Sequence, residues 1–210
     1  MSHGFRGSST GPARTFVDFA RKLVTEGYST LRFDQPNSAN SEGDYVDSSF
    51  KEWVDTITFL SSKYLKEGYK VGLLGQSMGA TATIIAANKR ELFNKIPCVI
   101  LWVPDPETDF KKDPNQISEE GGQKYKNSFW QEAKEMDFFG CLDKYQGGIH
   151  LVYGENDHFV SQDLRNETIK RVQQKDQPVL ILPGQEHSPW TFDSAQRVYK
   201  EEIEFLKKHL

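Results

Sequence analysis

The sequence of 210 residues predicts an α/β protein with three layers, α/β/α, built on a mostly parallel sheet. Helix-period segments and short strand-like segments alternate along most of the chain. The runs CVILWV and PVLIL are apolar on both faces, as strands covered by helices on both sides must be. A single polar stretch, 105–146, interrupts the alternation and reads as an insertion within one domain spanning 1–210.

Each element has its own signals. From Pro12 to Glu26, Phe16, Phe19, Ala20, Leu23 and Val24 recur at helical spacing, with Pro12 suited to a first turn and Gly27 to the exit. Tyr28 to Asp34 reads as a strand, followed by a turn-forming loop, QPNSANSEGD. Asp47 is expected to cap a second helix whose buried face is Phe50, Trp53, Val54, Ile57, Ser61 and Tyr64, with Gly68 ending it. Strands are expected over 69–74, 97–103, 149–153 and 179–182, and helices over 78–89, 162–174 and 192–208. The 105–146 insertion carries Tyr125, Phe129, Trp130, Phe138 and Phe139 and is expected to be a short helical lid; its aromatics suit either a private lid core or an acyl pocket.

Composition excludes several classes. No apolar run approaches the roughly 18 to 20 residues that span a membrane, so no membrane span is expected. The formal charge of −4 is spread over interspersed lysines and glutamates, with no basic block to track a phosphate backbone, so nucleic acid is not an expected partner. The opening Met1-Ser2-His3-Gly4-Phe5 lacks the order of a secretory signal, which makes a cytoplasmic location the expectation. Cys98 and Cys141 form neither a metal pattern nor a disulfide framework.

The chemistry is concentrated in Gly75-Gln76-Ser77-Met78-Gly79, a G-x-S-x-G segment between an apolar strand and a helix of small residues. A sharp strand-to-helix turn pushes the Ser77 hydroxyl out at the sheet edge, and the glycines permit the close backbone passage that this requires. The alternative is that Ser77 merely caps the following helix. At the helix start the Met78 amide is aimed to stabilise an oxyanion. The loop His3-Gly4-Phe5-Arg6-Gly7 offers the Phe5 amide as a second donor, with Arg6 the less favoured choice.

Serine needs a base, and the base needs a group that fixes its tautomer. Asp157, in GENDHFV after the strand at 149–153, is the expected acid, and His187, in PGQEHSP after the last strand, the expected base. His158 is the weaker choice of base, because its side chain leaves the strand end in another direction. Glu155, Asp163 and Glu186 read as solvated loop carboxylates, Asp34 as a loop anchor, and His3 as a support for its own loop.

The motifs together resemble the α/β-hydrolase superfamily, and within it the small esterases, monoacylglycerol-lipase-like and cinnamoyl-esterase-like enzymes. The resemblance rests on His3-Gly4-Phe5, Ser41-Glu42-Gly43-Asp44, Gly75 to Gly79, Gly154 to Asp157 and His187, in the order serine, acid, histidine. It implies a serine carboxylester hydrolase that acts through an acyl-enzyme on Ser77, with a small-molecule ester or acyl substrate and no cofactor or metal. A thioesterase, an acyl-peptidase with the same triad, and a catalytically weak binding protein are the alternatives. Oligomeric state and natural substrate are left open. The sequence departs from the family by having only Met1 and Ser2 ahead of His3, so the strands expected upstream of that loop are missing. A shortened chain start is the favoured explanation; if the chain truly begins at Met1, either the two neighbouring strands close the gap or a few leading residues form a stub.

Overall fold

The computed structural model describes residues 1–106 and 110–210. The elements in chain order are α1 (Thr15–Thr25), α2 (Phe50–Lys66), β1 (Leu73–Gln76), α3 (Met78–Ala87), β2 (Cys98–Trp102), β3 (Ile117–Glu120) and β4 (Gln123–Lys126). They are followed by α4 (Ser128–Glu135), α5 (Phe138–Lys144), β5 (Gly148–Gly154), α6 (Gln162–Gln173), β6 (Val179–Leu182) and α7 (Phe192–His209).

The central sheet runs β1-β2-β5-β6, all parallel, with Leu73 opposite Val99, Leu101 opposite Leu151 and Tyr153 opposite Ile181. Helix α7 packs on β2, β5 and α1, while α3 lies across β1 and β2 and touches α2 and α5, and α6 covers β5 and β6. These two groups are the outer layers, which is why β2 and β5 are buried along their whole length. Helix α3 is buried at all ten positions, and its small residues, MGATATIIAA, let it lie close to the strands that it crosses. On the other face Trp102 is packed among Phe16, Phe19, Trp190 and Tyr199.

Several boundaries differ from the sequence expectation for identifiable reasons. Pro12–Arg14 is a separate tight turn with Ala13 and Arg14 in the left-handed region, so α1 begins only at Thr15. The cap of α2 is Ser49, not Asp47: the Ser49 hydroxyl accepts from Glu52 N, while Asp47 pairs with Lys126 at 2.6 Å. The strand expected over 69–74 is paired only from Leu73 to Gln76. Residues 28–34 build no ladder; Phe33 makes an isolated parallel bridge to Ser2, which bridges in parallel to Gly75 as well. Ser2 N donates to Leu74 O and Ser2 O accepts from Gln76 N, so the leading residues form a stub on the free edge of β1. Below the stub lies a mostly apolar cavity of about 520 Å³, lined by Phe19, Leu23, Phe33, Ile57 and Leu210 among others.

The insertion expected at 105–146 includes 107–109, which lie outside the described residues. The rest is not purely helical: it opens with an antiparallel hairpin, β3 and β4, turning at Gly121-Gly122, both at positive φ. Phe129 of α4 then packs on Phe50 and Trp53, and Phe138 and Leu142 of α5 join the central core.

Candidate active site

The parallel sheet places the loops after β1, β5 and β6 at one edge, where ligands meet α/β sheets in general. Ser77 follows β1 at φ 54°, ψ −127°, a strained conformation for a residue with a side chain. It is held there by its own N–H, which donates to Trp102 O at 2.8 Å, and by its carbonyl, which accepts from Ala80 N and Thr81 N. The turn is possible only with glycine on both sides. A Cβ on Gly75 would lie 2.3 Å from Gly79 O, and one on Gly79 would lie 2.2 Å from His3 O. Gln76 is buried beneath this crossing, and its amide donates to Ser2 O. Ser77 makes no side-chain cap on α3, so the capping alternative fails.

The loops after β5 and β6 meet over Gly154, where a Cβ would lie 2.2 Å from Glu186 O. That approach brings Asp157 Oδ2 to 2.7 Å from His187 Nδ1. Asp157 Oδ1 accepts from the amides of Phe159 and Val160, so the carboxylate is fixed on both oxygens. Burial alone would raise the Asp157 pKa; the hydrogen bond and charge of His187, with the two amides, outweigh it and hold the carboxyl below its ordinary value. An ionised carboxylate only accepts, so Nδ1 of His187 carries a proton and the neutral ring keeps its lone pair on Nε2. Both residues are buried, while Ser77 is half-buried. Among the described residues no hydrogen bond joins Ser77 Oγ to His187.

The loop expected to supply the second oxyanion donor, residues 3–7, lies beside Ser77. Gly4 lies against Ser77, since a Cβ there would stand 2.9 Å from Ser77 Cβ. Gln35 N donates to His3 Nε2 at 2.9 Å; that nitrogen must accept, so Nδ1 carries the proton and donates to Gly4 O at 2.8 Å. Burial lowers the His3 pKa and favours this neutral form. The Arg6 amide is already engaged by Tyr45 Oη at 2.7 Å, whereas no described residue accepts from the Phe5 amide. Met78 is the first residue of α3, a position whose N–H has no partner within the helix.

The residues weighed against the trio lie elsewhere. His158 is exposed and pairs with Glu186 at 2.7 Å, and Glu155 accepts from Gly184 N. Asp34 accepts from Ser9 N and Asn40, anchoring its loop. Cys98 is buried, which pushes its thiol up to about 12. Among the described residues no cluster of three or more His, Cys, Asp or Glu is suited to a metal ion. No helix among them is long and apolar enough to cross a membrane. Sequence reasoning did not anticipate two contacts beside these residues: Tyr45 Oη on the Arg6 amide, and the Phe159 ring at 5.4 Å from that of His187.

No protein-family model matches the chain, and no curated protein matches it. Solved structures do. Est1E from Butyrivibrio proteoclasticus, in a structure with bound ferulic acid, superposes with a TM-score of 0.84 at 23% identity, covering 99% of this chain and 87% of that one. The chain has the α/β-hydrolase fold. The monoacylglycerol lipase of Paleococcus ferrophilus (TM-score 0.77, 16% identity, 100% and 93% covered) and mouse alpha/beta hydrolase domain-containing protein 10 (0.72, 18%, 99% and 88%) share the fold. In this α/β-hydrolase fold the loops carrying Ser77, Asp157 and His187 all open on the same sheet edge.

Proposed function

We propose that this protein is a serine hydrolase that cleaves carboxylic esters of small or medium acyl groups through an acyl-enzyme on Ser77. One observation carries the reading: a buried Asp157–His187 pair, with its tautomer fixed for a base, stands on the same sheet edge as a strained serine whose hydroxyl has no structural duty. His187 Nε2 takes the Ser77 proton as Oγ attacks the ester carbonyl. The imidazolium then gives a proton to the leaving alcohol, and a water activated by the same nitrogen releases the acid. Asp157 keeps the ring oriented and stabilises its charge. The amides of Phe5 and Met78 hold the oxyanion, where losing one donor costs about 100-fold to 1000-fold in rate. The similarity to a structure holding ferulic acid and to a monoacylglycerol lipase supports ester substrates.

Hydrolysis of nitrophenyl esters of graded acyl length tests the proposal. Turnover that vanishes in Ser77→Ala is the expected result. Equal turnover by wild type and Ser77→Ala would refute it. Thioesters and acylated peptides in the same panel separate the esterase reading from the thioesterase and acyl-peptidase alternatives.

A further inference from the structure

The Phe5 amide sits in a tight turn, with Gly7 N donating to Gly4 O, and its outer half is held by a distant part of the chain. Arg6 occupies the left-handed region at φ 55°, where a residue with a side chain needs outside support. Its amide donates to Tyr45 Oη. Its guanidinium lies on the β3–β4 turn, donating to Glu120 O at 3.1 Å and pairing with Glu120 Oε1 at 2.5 Å. The hairpin is shaped for this contact: Gly121 is at φ 56°, and a Cβ there would fall 2.0 Å from Arg6 Nη1. The Phe5 ring is wedged between Tyr45 and three aromatics of the insertion, Tyr125, Phe129 and Trp130, at centroid distances of 4.6–5.5 Å. The Lys126–Asp47 pair ties the other end of the hairpin to the turn that carries Tyr45. Both side chains of the turn are therefore oriented from outside the loop, and the Phe5 N–H, on the peptide that joins Gly4 to Phe5, takes its direction from a turn held in this way.

We propose that the β3–β4 hairpin is a positioning element for the oxyanion hole, with Glu120 and Tyr45 acting through Arg6 to aim the Phe5 N–H. This rests on the serine-hydrolase reading above. Neither residue touches the reacting atoms; each restrains a turn whose direction decides how well the amide meets the developing charge. The effect falls on the rate of the chemical step, because a ground-state carbonyl gains less from that donor than the oxyanion does.

The test is steady-state hydrolysis of a short-chain ester by Tyr45→Phe, Glu120→Ala, Glu120→Gln and the charge-swapped pair Arg6→Glu with Glu120→Arg. The control is Glu119→Ala, an exposed neighbour outside this network. Tyr45→Phe and Glu120→Ala are expected to lower kcat about 10-fold, within what misplacement of a catalytic group costs, with KM changed less than about threefold. Glu120→Gln, which keeps the acceptor, and the charge swap should recover most of kcat. Rising salt should lower wild-type kcat and leave Glu120→Ala flat, because the pair is partly exposed and screened. An unchanged kcat in folded Glu120→Ala and Tyr45→Phe, or a rise in KM alone, overturns the proposal. If Glu120→Ala fails to fold, Tyr45→Phe decides, an unchanged kcat there overturning the proposal. Serine-dependent turnover by the wild type with silent variants sinks this inference only; a wild type without such turnover sinks the reading beneath it as well.

Discussion

Strand β5 carries a histidine–carboxylate pair at each end, and the two pairs are built for opposite ends. Beyond its C-terminal end, Asp157 and His187 lie on loops, the acid saturated by amides and the base left with a free nitrogen at the sheet edge. Near its N-terminal end, His150 Nδ1 lies 2.9 Å from Glu202 Oε1 of α7, which also accepts from Trp102 Nε1. Glu202 is 0% exposed, and its second oxygen has no hydrogen-bond partner among the described residues. Burial drives the Glu202 pKa up. His150 is pushed down by burial and up by Glu202, and the second effect wins. A third pair, His158–Glu186, stands in solvent. The same two functional groups are thus a candidate engine on loops, a weld between strand and helix in the core, and a surface contact in water. Position on the fold decides the role, and residue type alone does not.

Substitutions should separate the three pairs. Asp157→Asn removes the group that fixes the His187 tautomer, and we expect kcat/KM for an ester to fall by about 10⁴-fold while the protein stays folded by circular dichroism. Equal losses in Glu202→Ala per folded molecule would erase the distinction. Glu202→Ala instead leaves His150 buried without its partner and should cost about 3–5 kcal/mol in urea unfolding, with kcat of the remaining folded protein unchanged. His158→Ala is expected to change stability by less than about 1 kcal/mol and activity little, as measured by the same two assays.

The pH dependence sharpens the contrast, because the two buried pairs have opposite signatures. Asp157 has a folded pKa below its ordinary 3.8, so its contribution to stability is complete above that value and is lost as pH falls through the folded value. His150 is raised above 6.5, so its contribution is complete below that value and is lost as pH rises through the folded one. The stability gap between wild type and Asp157→Asn should therefore narrow on acidification below about pH 4. The gap to Glu202→Gln should narrow on moving from about pH 6 toward pH 9. Urea midpoints across pH check both, and two gaps that move in the same direction would contradict the assignment.

What sequence could reveal follows the same division. Ser77, Asp157 and His187 are readable because each follows an apolar strand in a short glycine-containing loop, so their edge of the sheet is implied by the parallel topology. Glu202 is not readable: in KEEIEF it looks like part of a solvated helix face, and only the presence of His150 in an otherwise apolar strand hints that a buried partner must exist. The α2 cap was within reach, since Ser49-Phe50-Lys51-Glu52 has capping-box spacing. The β3–β4 hairpin is signalled only by Gly121-Gly122, because its strands are too exposed to show alternation. The hold of Glu120 on Arg6 spans more than a hundred residues and has no local signature.

Everything proposed for the site depends on Ser77 acting as a nucleophile served by His187. Treatment of the native protein with a fluorophosphonate, followed by mass mapping, tests it most directly. A single adduct is expected on the peptide containing Ser77, absent in Ser77→Ala and strongly slowed in His187→Ala. No adduct on the wild type, or an adduct that persists in Ser77→Ala, would contradict it.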